Sequence, residues 1–422
     1  MQSKPLQTLF AGPLTRFIAA SGLTNLSDGI ATLAWAWIAT LLTRDPLLVA
    51  LMPVALRVPW ALGAIPAGLI TDRHDRRRLI LIADGLRCGC FAVAAVAILW
   101  ALPLKAAPVS GVSNPGLFAL LMLTALVIGG AEVLRDNAAQ TLVPSLVPPA
   151  ALERANGRLW SVELIGNALL GPSIGAVLIA VSLPLPFAFN ALALGVAVLI
   201  VLRMKVPPRQ SQGGRNWRAE VAEGFSFLKG QPVLRLLAWV TGVWNMLHQM
   251  VVIALILHVQ ENLGLGPRAY GLILAAGALG GILGGFVGDR VVRAIGRGRG
   301  AQWTLLFSAL AFLALPLAQS ALGVALILFA FECAGLIWNT ISVAYRQRAI
   351  PDSLLGRVNS LYRLLAWGMM PLGLVLSGWI TRGADRILPR ELALTMPFFI
   401  AALGAACLVA LAWRALGRSF ED

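Results

Sequence analysis

The chain has 422 residues, of which 58% are hydrophobic and only 13% are charged, and its mean hydropathy is +0.80. A soluble domain usually carries about 25% charged residues, so this composition excludes a soluble fold and makes lipid the solvent for most of the chain. The net charge of +15 comes from basic residues that collect in alternate loops between apolar segments. That distribution follows the positive-inside rule and argues against a nucleic-acid partner.

Twelve apolar segments follow one another along the chain, each long enough for a membrane-spanning helix of about 20 residues. If both termini lie in the cytoplasm, the cytoplasmic segments hold 24 of the 34 Lys and Arg residues. This bias predicts a multi-pass protein of the inner (plasma) membrane, with both termini cytoplasmic. The predicted spans are 14–42, 47–71, 78–102, 116–140, 156–182, 184–203, 234–262, 268–289, 301–319, 321–345, 358–381 and 394–415.

The longest polar segment separates two groups of six spans. Residues 204–233 are predicted to form a cytoplasmic linker between an N-terminal bundle, 1–203, and a C-terminal bundle, 234–422. Within the linker, 217–229 has the pattern of a short amphipathic helix that lies along the membrane surface. A plain solvated loop is the alternative interpretation.

Three short segments of the first group recur in the second, each at the matching place: in the first span, at the end of the second span and at the start of the fifth. Three matches in register predict two pseudo-symmetric six-helix bundles related by an axis along the membrane normal. The matched pairs are Gly22–Asp28 with Gly242–His248, Gly68–Arg73 with Gly285–Arg290, and Pro148–Asn156 with Pro351–Asn359.

The loop after the second span runs GLITDRHDRRR from Gly68 to Arg78. It resembles the signature loop of the major facilitator superfamily, in which Gly, three residues and Asp-Arg precede a second Gly and a basic cluster. Asp75 stands where that second Gly is usual, which looks like the branch of macrolide efflux pumps and enterobactin exporters. The runs at 223–232 and 355–360 are similar to the same branch. The resemblance implies a major facilitator fold and transport by alternating access.

The same resemblance implies a cytoplasmic gate. Asp72 would bind the free N–H groups at the start of the eleventh helix, near Arg357, and Gly68 would let a neighbouring helix approach closely. By the repeat, Asp289 would meet the start of the fifth helix. The alternative is that the arginines after Asp72 serve only as topology signals. The predicted gate residues are Gly68, Asp72, Arg73, Arg76, Arg77, Asp84, Arg87, Asp289, Arg290 and Arg357.

The fifth span contains Gly166, Gly171, Pro172 and Gly175 in a pattern that looks like the exporter motif of the family, although Asn167 and Ala176 occupy positions where Gly is usual. The small residues are expected to thin the helix for packing against the eighth span, and the proline to bend it. The resemblance implies export. Generic helix packing requires the same small residues and remains the alternative.

Charged residues inside spans cost at least about 2.5–3.5 kcal/mol each on insertion scales, so each one needs a reason. Asp28 and Arg57 lie at similar predicted depth in antiparallel helices and could form a pair. The repeat matches His248 to Asp28 and Asn245 to Asn25, which suggests a proton or substrate site shared by the halves. A fixed, purely structural Asp28–Arg57 pair is the alternative.

A second group of charges falls in the third, fourth and fifth spans: Asp84, Arg87, Glu132, Arg135, Asp136 and Glu163. Asp84 with Arg87, and Glu132 with Arg135, are three residues apart and share a helix face. The group is either a network that rearranges during transport or a static one. Proton carriers are expected among Asp28, Glu132, Glu163 and Glu332. All candidates for proton coupling or substrate binding are Asn25, Asp28, Arg57, Glu132, Arg135, Glu163, Asn245, His248 and Glu332.

Together these features predict a proton-coupled antiporter that exports small amphipathic molecules such as drugs, with no cofactor. The expected partners are the substrate, protons and the lipid bilayer, and the expected state is a monomer. A dedicated exporter of one metabolite, such as a siderophore or lipid-like compound, is the first alternative, and a non-transporting membrane scaffold is the second. No nucleotide-binding signature, nucleophile–base set or metal-ligand spacing points to an enzyme.

Overall fold

A computed structural model describes residues 12–148, 151–204, 206 and 217–418. All regular secondary structure in this part of the chain is helical. The helices are α1 (Pro13–Leu42), α2 (Pro46–Arg73), α3 (Arg76–Ala101), α4 (Pro115–Leu146), α5 (Leu152–Glu163), α6 (Gly171–Val181), α7 (Leu185–Leu202), α8 (Trp217–Gly230), α9 (Pro232–Leu257), α10 (Pro267–Ile295), α11 (Arg297–Ala314), α12 (Ala321–Ala349), α13 (Asp352–Gly368), α14 (Met370–Ala384), α15 (Arg390–Ala393) and α16 (Met396–Arg418).

Eleven helical stretches in the described residues are long and apolar enough to cross a membrane. The 30-residue α1 lies outside that group because it carries a polar stretch around Asn25 and Asp28, although its length of about 45 Å is enough for a span. The observed helices coincide with the predicted spans to within a few residues at most ends. The predicted all-α membrane architecture is therefore confirmed.

The helices form two compact units. The first contains the described residues of 1–42, 55–106 and 112–215, and the second contains those of 43–54, 107–111 and 216–422. In the first unit, α3 packs between α4 and α7, and α1 packs on α5, α6 and α7. In the second unit, α12 packs along α10, α11 packs on α16, and α9 packs against α14 and α16.

The fifth predicted span is interrupted. It consists of α5, a π-helical turn at Leu164–Leu170, and α6, which begins at Gly171-Pro172. Proline has no N–H group and its ring collides with the carbonyl four residues earlier, so a regular α-helix cannot continue through it. The wider π-helical turn accommodates this break, and such turns are frequent at functional sites.

Glycines permit unusually close contact between α10 and α12. A Cβ atom at Gly280 would overlap the carbonyl oxygen of Phe329, and one at Gly284 would overlap that of Cys333. At Gly288 a Cβ would lie only 3.0 Å from the hydroxyl of Thr340. Between helices in lipid, close backbone contact through small residues replaces the hydrophobic effect as the source of association.

Basic residues of the loop after α2 close helix ends in the first unit. Asp75, at the position where the family pattern has glycine, is the N-cap of α3 and accepts a hydrogen bond of 2.7 Å from the backbone N–H of Arg78. Arg76 donates to the carbonyl of Thr141 near the end of α4. Arg77 donates to the carbonyl of Val201 at the end of α7, at 3.1 Å. These arginines place positive charge at carbonyl groups near the C-terminal ends of two helices, where cations are favoured, so they are more than topology signals.

Two arginines of the second unit, Arg390 and Arg44, lie next to carboxylates of the same unit. The guanidinium of Arg390 donates to both carboxylate oxygens of Glu261, at 2.9 and 3.1 Å, and to Asp385 at 2.9 Å. It also donates to the backbone carbonyl of Arg44 at 2.7 Å, and the Arg44 side chain lies 3.6 Å from Glu261. Bidentate pairs of this kind fix geometry as well as charge.

Gly284→Ala is expected to lower the free energy of unfolding by about 1–3 kcal/mol, because the added methyl group forces α12 away from α10. Gly285→Ala is the matched control, since no described atom lies within 4 Å of its Cβ position. Thermal unfolding of the two purified variants in the same detergent measures the difference. Equal midpoints would contradict the close contact.

Arg390→Gln is expected to lower the free energy of unfolding by about 1–3 kcal/mol, because it removes charge-assisted hydrogen bonds to Glu261 and Asp385. Arg386→Gln is the control, because Arg386 has an exposed side chain four residues earlier. Thermal unfolding at low and at high salt tests this expectation. If the two variants unfold alike at low salt, the ion pairs around Arg390 do not stabilise the unit.

Candidate functional site

A buried guanidinium connects two helices of the first unit. Arg87 of α3 is fully buried and forms an ion pair with Asp28 of α1. The same guanidinium lies 3.4 Å from Asp84, which precedes it by one helical turn and is only 1% exposed. The predicted Asp84–Arg87 contact is therefore present. A cation buried in the membrane requires such anionic partners.

A second guanidinium extends this chain of charges to α4. The Nε of Arg135 lies 3.8 Å from Asp84, and its Nη1 lies 3.3 Å from Asp136. Its Nη2 donates to the hydroxyl of Ser21 on α1, at 3.2 Å. Ion pairs therefore join α1 to α3 and α3 to α4, and the hydrogen bond to Ser21 joins α4 to α1.

Glu132 lies one turn before Asp136 on α4 and interacts electrostatically with Asp28, Arg57 and Arg87. When Glu132 is included, the site contains more carboxyl groups than guanidinium groups. We call the set the acid network, and it comprises the carboxyl groups of Asp28, Asp84, Glu132 and Asp136 and the guanidinium groups of Arg87 and Arg135. The four acids outnumber the arginines even when Arg57 is counted as a third cation, and this imbalance favours uptake of a positive charge from outside the network.

One suggested pairing is wrong. Asp28 pairs with Arg87 of α3 rather than with Arg57 of α2, because helix depth alone does not determine which neighbour a side chain faces. Arg135, which shares a helix face with Glu132, pairs with Asp84 and Asp136. Tertiary contact with α3 brings the guanidinium of Arg135 to a carboxylate outside its own helix.

The glycines of the fifth span pack against the turn of α1 that carries Asp28. Gly166 faces Asn25, whose amide donates to the carbonyl of Ser21 at 2.8 Å. Gly171 lies against Gly29, where an added Cβ would collide with the α1 backbone. At these positions the small residues therefore pack closely on the first span.

The other candidate residues of the fifth span range from buried to exposed. Gly175 lies against Ile30 of α1, and Pro172 is buried. Glu163 is an exposed side chain at the junction between α5 and the π-helical turn. The exporter-motif residues are therefore next to the acid network, although they contribute no charge to it.

In the second unit, the two other candidate ionisable residues contact each other. Nε2 of His248 on α9 lies 3.2 Å from Oε1 of Glu332 on α12. The imidazole is stacked on Trp244, with ring centroids 5.0 Å apart, and lies 5.4 Å from the Phe331 ring. Asn245 takes no part in this group, since its amide donates to the carbonyl of Ala366 at 2.8 Å.

The predicted gate residues differ in whether their side chains are described and in how exposed they are. The side chains of Asp72 and Arg357 lie outside the described residues. Arg73, Asp289 and Arg290 have exposed side chains. Among the described atoms, none lies within 4 Å of a Cβ placed at Gly68.

Two features of these sites were not predicted from the sequence, namely the contact of Ser21 and the ring stack on His248. Ser21 lies seven residues before Asp28, which is two helical turns, and that spacing was a usable signal that both share a face of α1. The ring stack on His248 had a weaker signal. Trp244 precedes His248 by one turn, but Phe331 joins them only because α12 packs beside α9.

Relatives of known function match most of the chain. The chain is 26% identical over 418 residues to the multidrug efflux pump Tap of Mycolicibacterium fortuitum, with 92% of this chain and 94% of that protein covered. It is 27% identical to the multidrug efflux pump Tap of Mycobacterium tuberculosis (strain CDC 1551 / Oshkosh), with 95% and 94% covered. It is 26% identical to the enterobactin exporter EntS of Escherichia coli O1:K1 / APEC, with 71% and 68% covered.

Solved transporter structures share the fold. A bacterial homologue of the iron transporter ferroportin in an inward-facing state gives a TM-score of 0.73 at 14% identity, covering 98% of this chain and all of that one. The nucleoside transporter NupG gives 0.70 at 12% identity, covering 96% of this chain and 99% of that one. The family model of the Major Facilitator Superfamily matches residues 17–374. The chain therefore belongs to the Major Facilitator Superfamily of membrane transporters.

Proposed function

We propose that this chain is a secondary active exporter, a proton-coupled antiporter that moves small amphipathic molecules out of the cell by alternating access. It would act as a monomer in the inner membrane, with both termini in the cytoplasm. The single observation that carries the proposal is the acid network, which holds an excess of carboxyl groups over guanidinium groups inside spanning helices.

The charge balance gives the network a reason to bind protons. Each unpaired carboxylate in the membrane is costly, so the network is most stable when the excess negative charge is neutralised. A proton on Asp28 or Glu132 supplies that neutralisation, and its release restores the charge. The Asp28 side chain retains 16% exposure, so it is less enclosed than Asp84, which is 1% exposed.

Members of the network have different expected roles. Asp84 is 1% exposed and lies near both Arg87 and Arg135, so its negative charge is required at all times to hold two buried cations. Asp28 shares Arg87 with Asp84. When Asp28 takes a proton, Arg87 retains one anionic partner, and the contact between α1 and α3 weakens without leaving a buried cation unpaired.

The exporter-motif helix connects this chemistry to backbone geometry. Gly166 and Gly171 press the π-helical turn and α6 against the turn of α1 that carries Asp28. Because those contacts are between backbones, a change in the position of α1 is transmitted directly to α6. This supports a coupling between proton binding on Asp28 and helix movement.

The outward direction of transport and the substrate class are supported by the named relatives. These proteins are multidrug efflux pumps, and they align with nearly the whole chain. A dedicated exporter of one metabolite is the second candidate, and the similarity to an enterobactin exporter over 71% of the chain favours it. Transport of a siderophore and of a panel of cationic and neutral drugs in the same liposomes separates the two.

Glu132→Gln and Asp28→Asn are each expected to reduce substrate-driven proton flux at least tenfold while the protein still folds, because each removes one titratable carboxyl group. Purified variants in liposomes with a trapped pH-sensitive dye provide the measurement. Glu391→Gln, an exposed acid on α15, is the control and should transport like the parent.

The antiporter proposal fails if a broad panel of amphipathic drugs and siderophores produces no proton-linked flux with the parent protein. If the parent transports but Asp28→Asn, Glu132→Gln and Glu163→Gln all behave like it, proton coupling uses other residues. Normal size-exclusion profiles are required of each variant, so that loss of flux is not confused with loss of folding.

Asp84→Ala is expected to lower the free energy of unfolding by about 3–5 kcal/mol, because removal of one partner leaves buried guanidinium groups without sufficient counter-charge. Asp136→Ala, whose side chain is 34% exposed, should cause a clearly smaller loss. Thermal unfolding in detergent compares the two. A larger loss at Asp136 would contradict the structural role given to Asp84.

A further inference from the structure

A carboxylate in the middle of the second unit has an aromatic imidazole as its partner instead of an arginine. Glu332 lies 11 residues into α12 and His248 lies 16 residues into α9, which places both more than about 13 Å from the ends of their helices. Their side chains are 26% and 18% exposed. By contrast, the carboxylate of Asp84 is sealed between two guanidinium groups.

The surroundings hold these groups in fixed positions. Indole Nε1 of Trp244 donates to the buried hydroxyl of Ser308 at 3.0 Å, which fixes the plane of the Trp244 ring. Phe331 is 1% exposed and lies parallel to Trp244, with an interplanar angle of 15°. On α10, Gly277 faces the Cγ of Glu332 and leaves room for its side chain against the helix backbone.

The arrangement indicates which ligand charge it accepts. A carboxylate at membrane depth requires a positive partner. An imidazole is positive only while both of its ring nitrogens are protonated. An anionic ligand would be repelled by Glu332. An organic cation can replace the imidazole at the carboxylate, and the electron-rich faces of tryptophan and phenylalanine attract the same charge.

The position of His248 also indicates the ligand's shape. Its ring is flat, contains nitrogen, stacks within 16° of the Trp244 plane and directs a nitrogen towards Glu332. It therefore occupies the site in the way that a planar aromatic cation would. Displacement of His248 from the carboxylate would free both the charge and the ring face for a ligand.

We propose that Glu332, Trp244 and Phe331 form a binding site for planar organic monocations, and that His248 occupies this site when the ligand is absent. The proposal rests on the exporter function proposed above, since it names the substrate class that the C-terminal helices recognise. It assigns to these helices a specificity role that is separate from the acid network.

Binding of ethidium to the purified protein in detergent, followed by fluorescence anisotropy at fixed pH, tests the site. Glu332→Gln should weaken binding at least tenfold, and Trp244→Leu about fivefold, since a cation over an aromatic face contributes about 1 kcal/mol. His248→Phe keeps a stacked ring but removes the nitrogen that competes for Glu332, so it should bind at least as tightly as the parent. Glu391→Gln is the control and should not change binding.

Competition supplies a test of charge that does not depend on any variant. Tetraphenylphosphonium and tetraphenylborate have nearly the same shape and opposite charge, and only the phosphonium should displace ethidium. The proposal is overturned if the parent does not bind ethidium, if Glu332→Gln binds it equally well, or if the borate competes as well as the phosphonium. Because binding in detergent requires no proton gradient, its failure is distinct from a failure of proton-coupled export, which the liposome assay measures.

Discussion

The ion pair between Arg87 and Asp28 is the constraint on which the first unit depends. A guanidinium with no exposed surface cannot exist in an apolar interior without carboxylates beside it, so α1 and α3 must meet where these residues meet. Arg135 repeats the requirement between α3 and α4. Charges that make the helices costly to insert therefore also determine which helices are neighbours.

Glycine contacts complement this charge constraint in both units. In the first, Gly29, Gly166 and Gly171 allow the π-helical turn and α6 to lie directly on α1, next to Asp28. In the second, Gly280 and Gly284 bring α12 so close to α10 that their backbones touch. Gly277, also on α10, faces the side chain of Glu332, so small residues also leave room for a charged group.

The two units use their ionisable residues differently. The first surrounds its acids with arginines, which suits groups that exchange protons while the helices remain connected. The second sets one acid beside an imidazole and two further aromatic rings, those of Trp244 and Phe331. This charge and ring surface in the C-terminal half suit the ligand site proposed above.

Composition and hydropathy by themselves determined the membrane environment and the approximate bounds of the spans, because both depend on local chain chemistry. The loop after the second span indicated the family through its resemblance to a known motif. The Asp84–Arg87 contact was also predictable, since both residues lie one turn apart on a single helix. The partners of Asp28, Arg135 and the exporter-motif glycines were decided only by the tertiary structure. Depth along a helix follows from sequence position, whereas the neighbour that a side chain faces depends on how helices rotate and pack against one another.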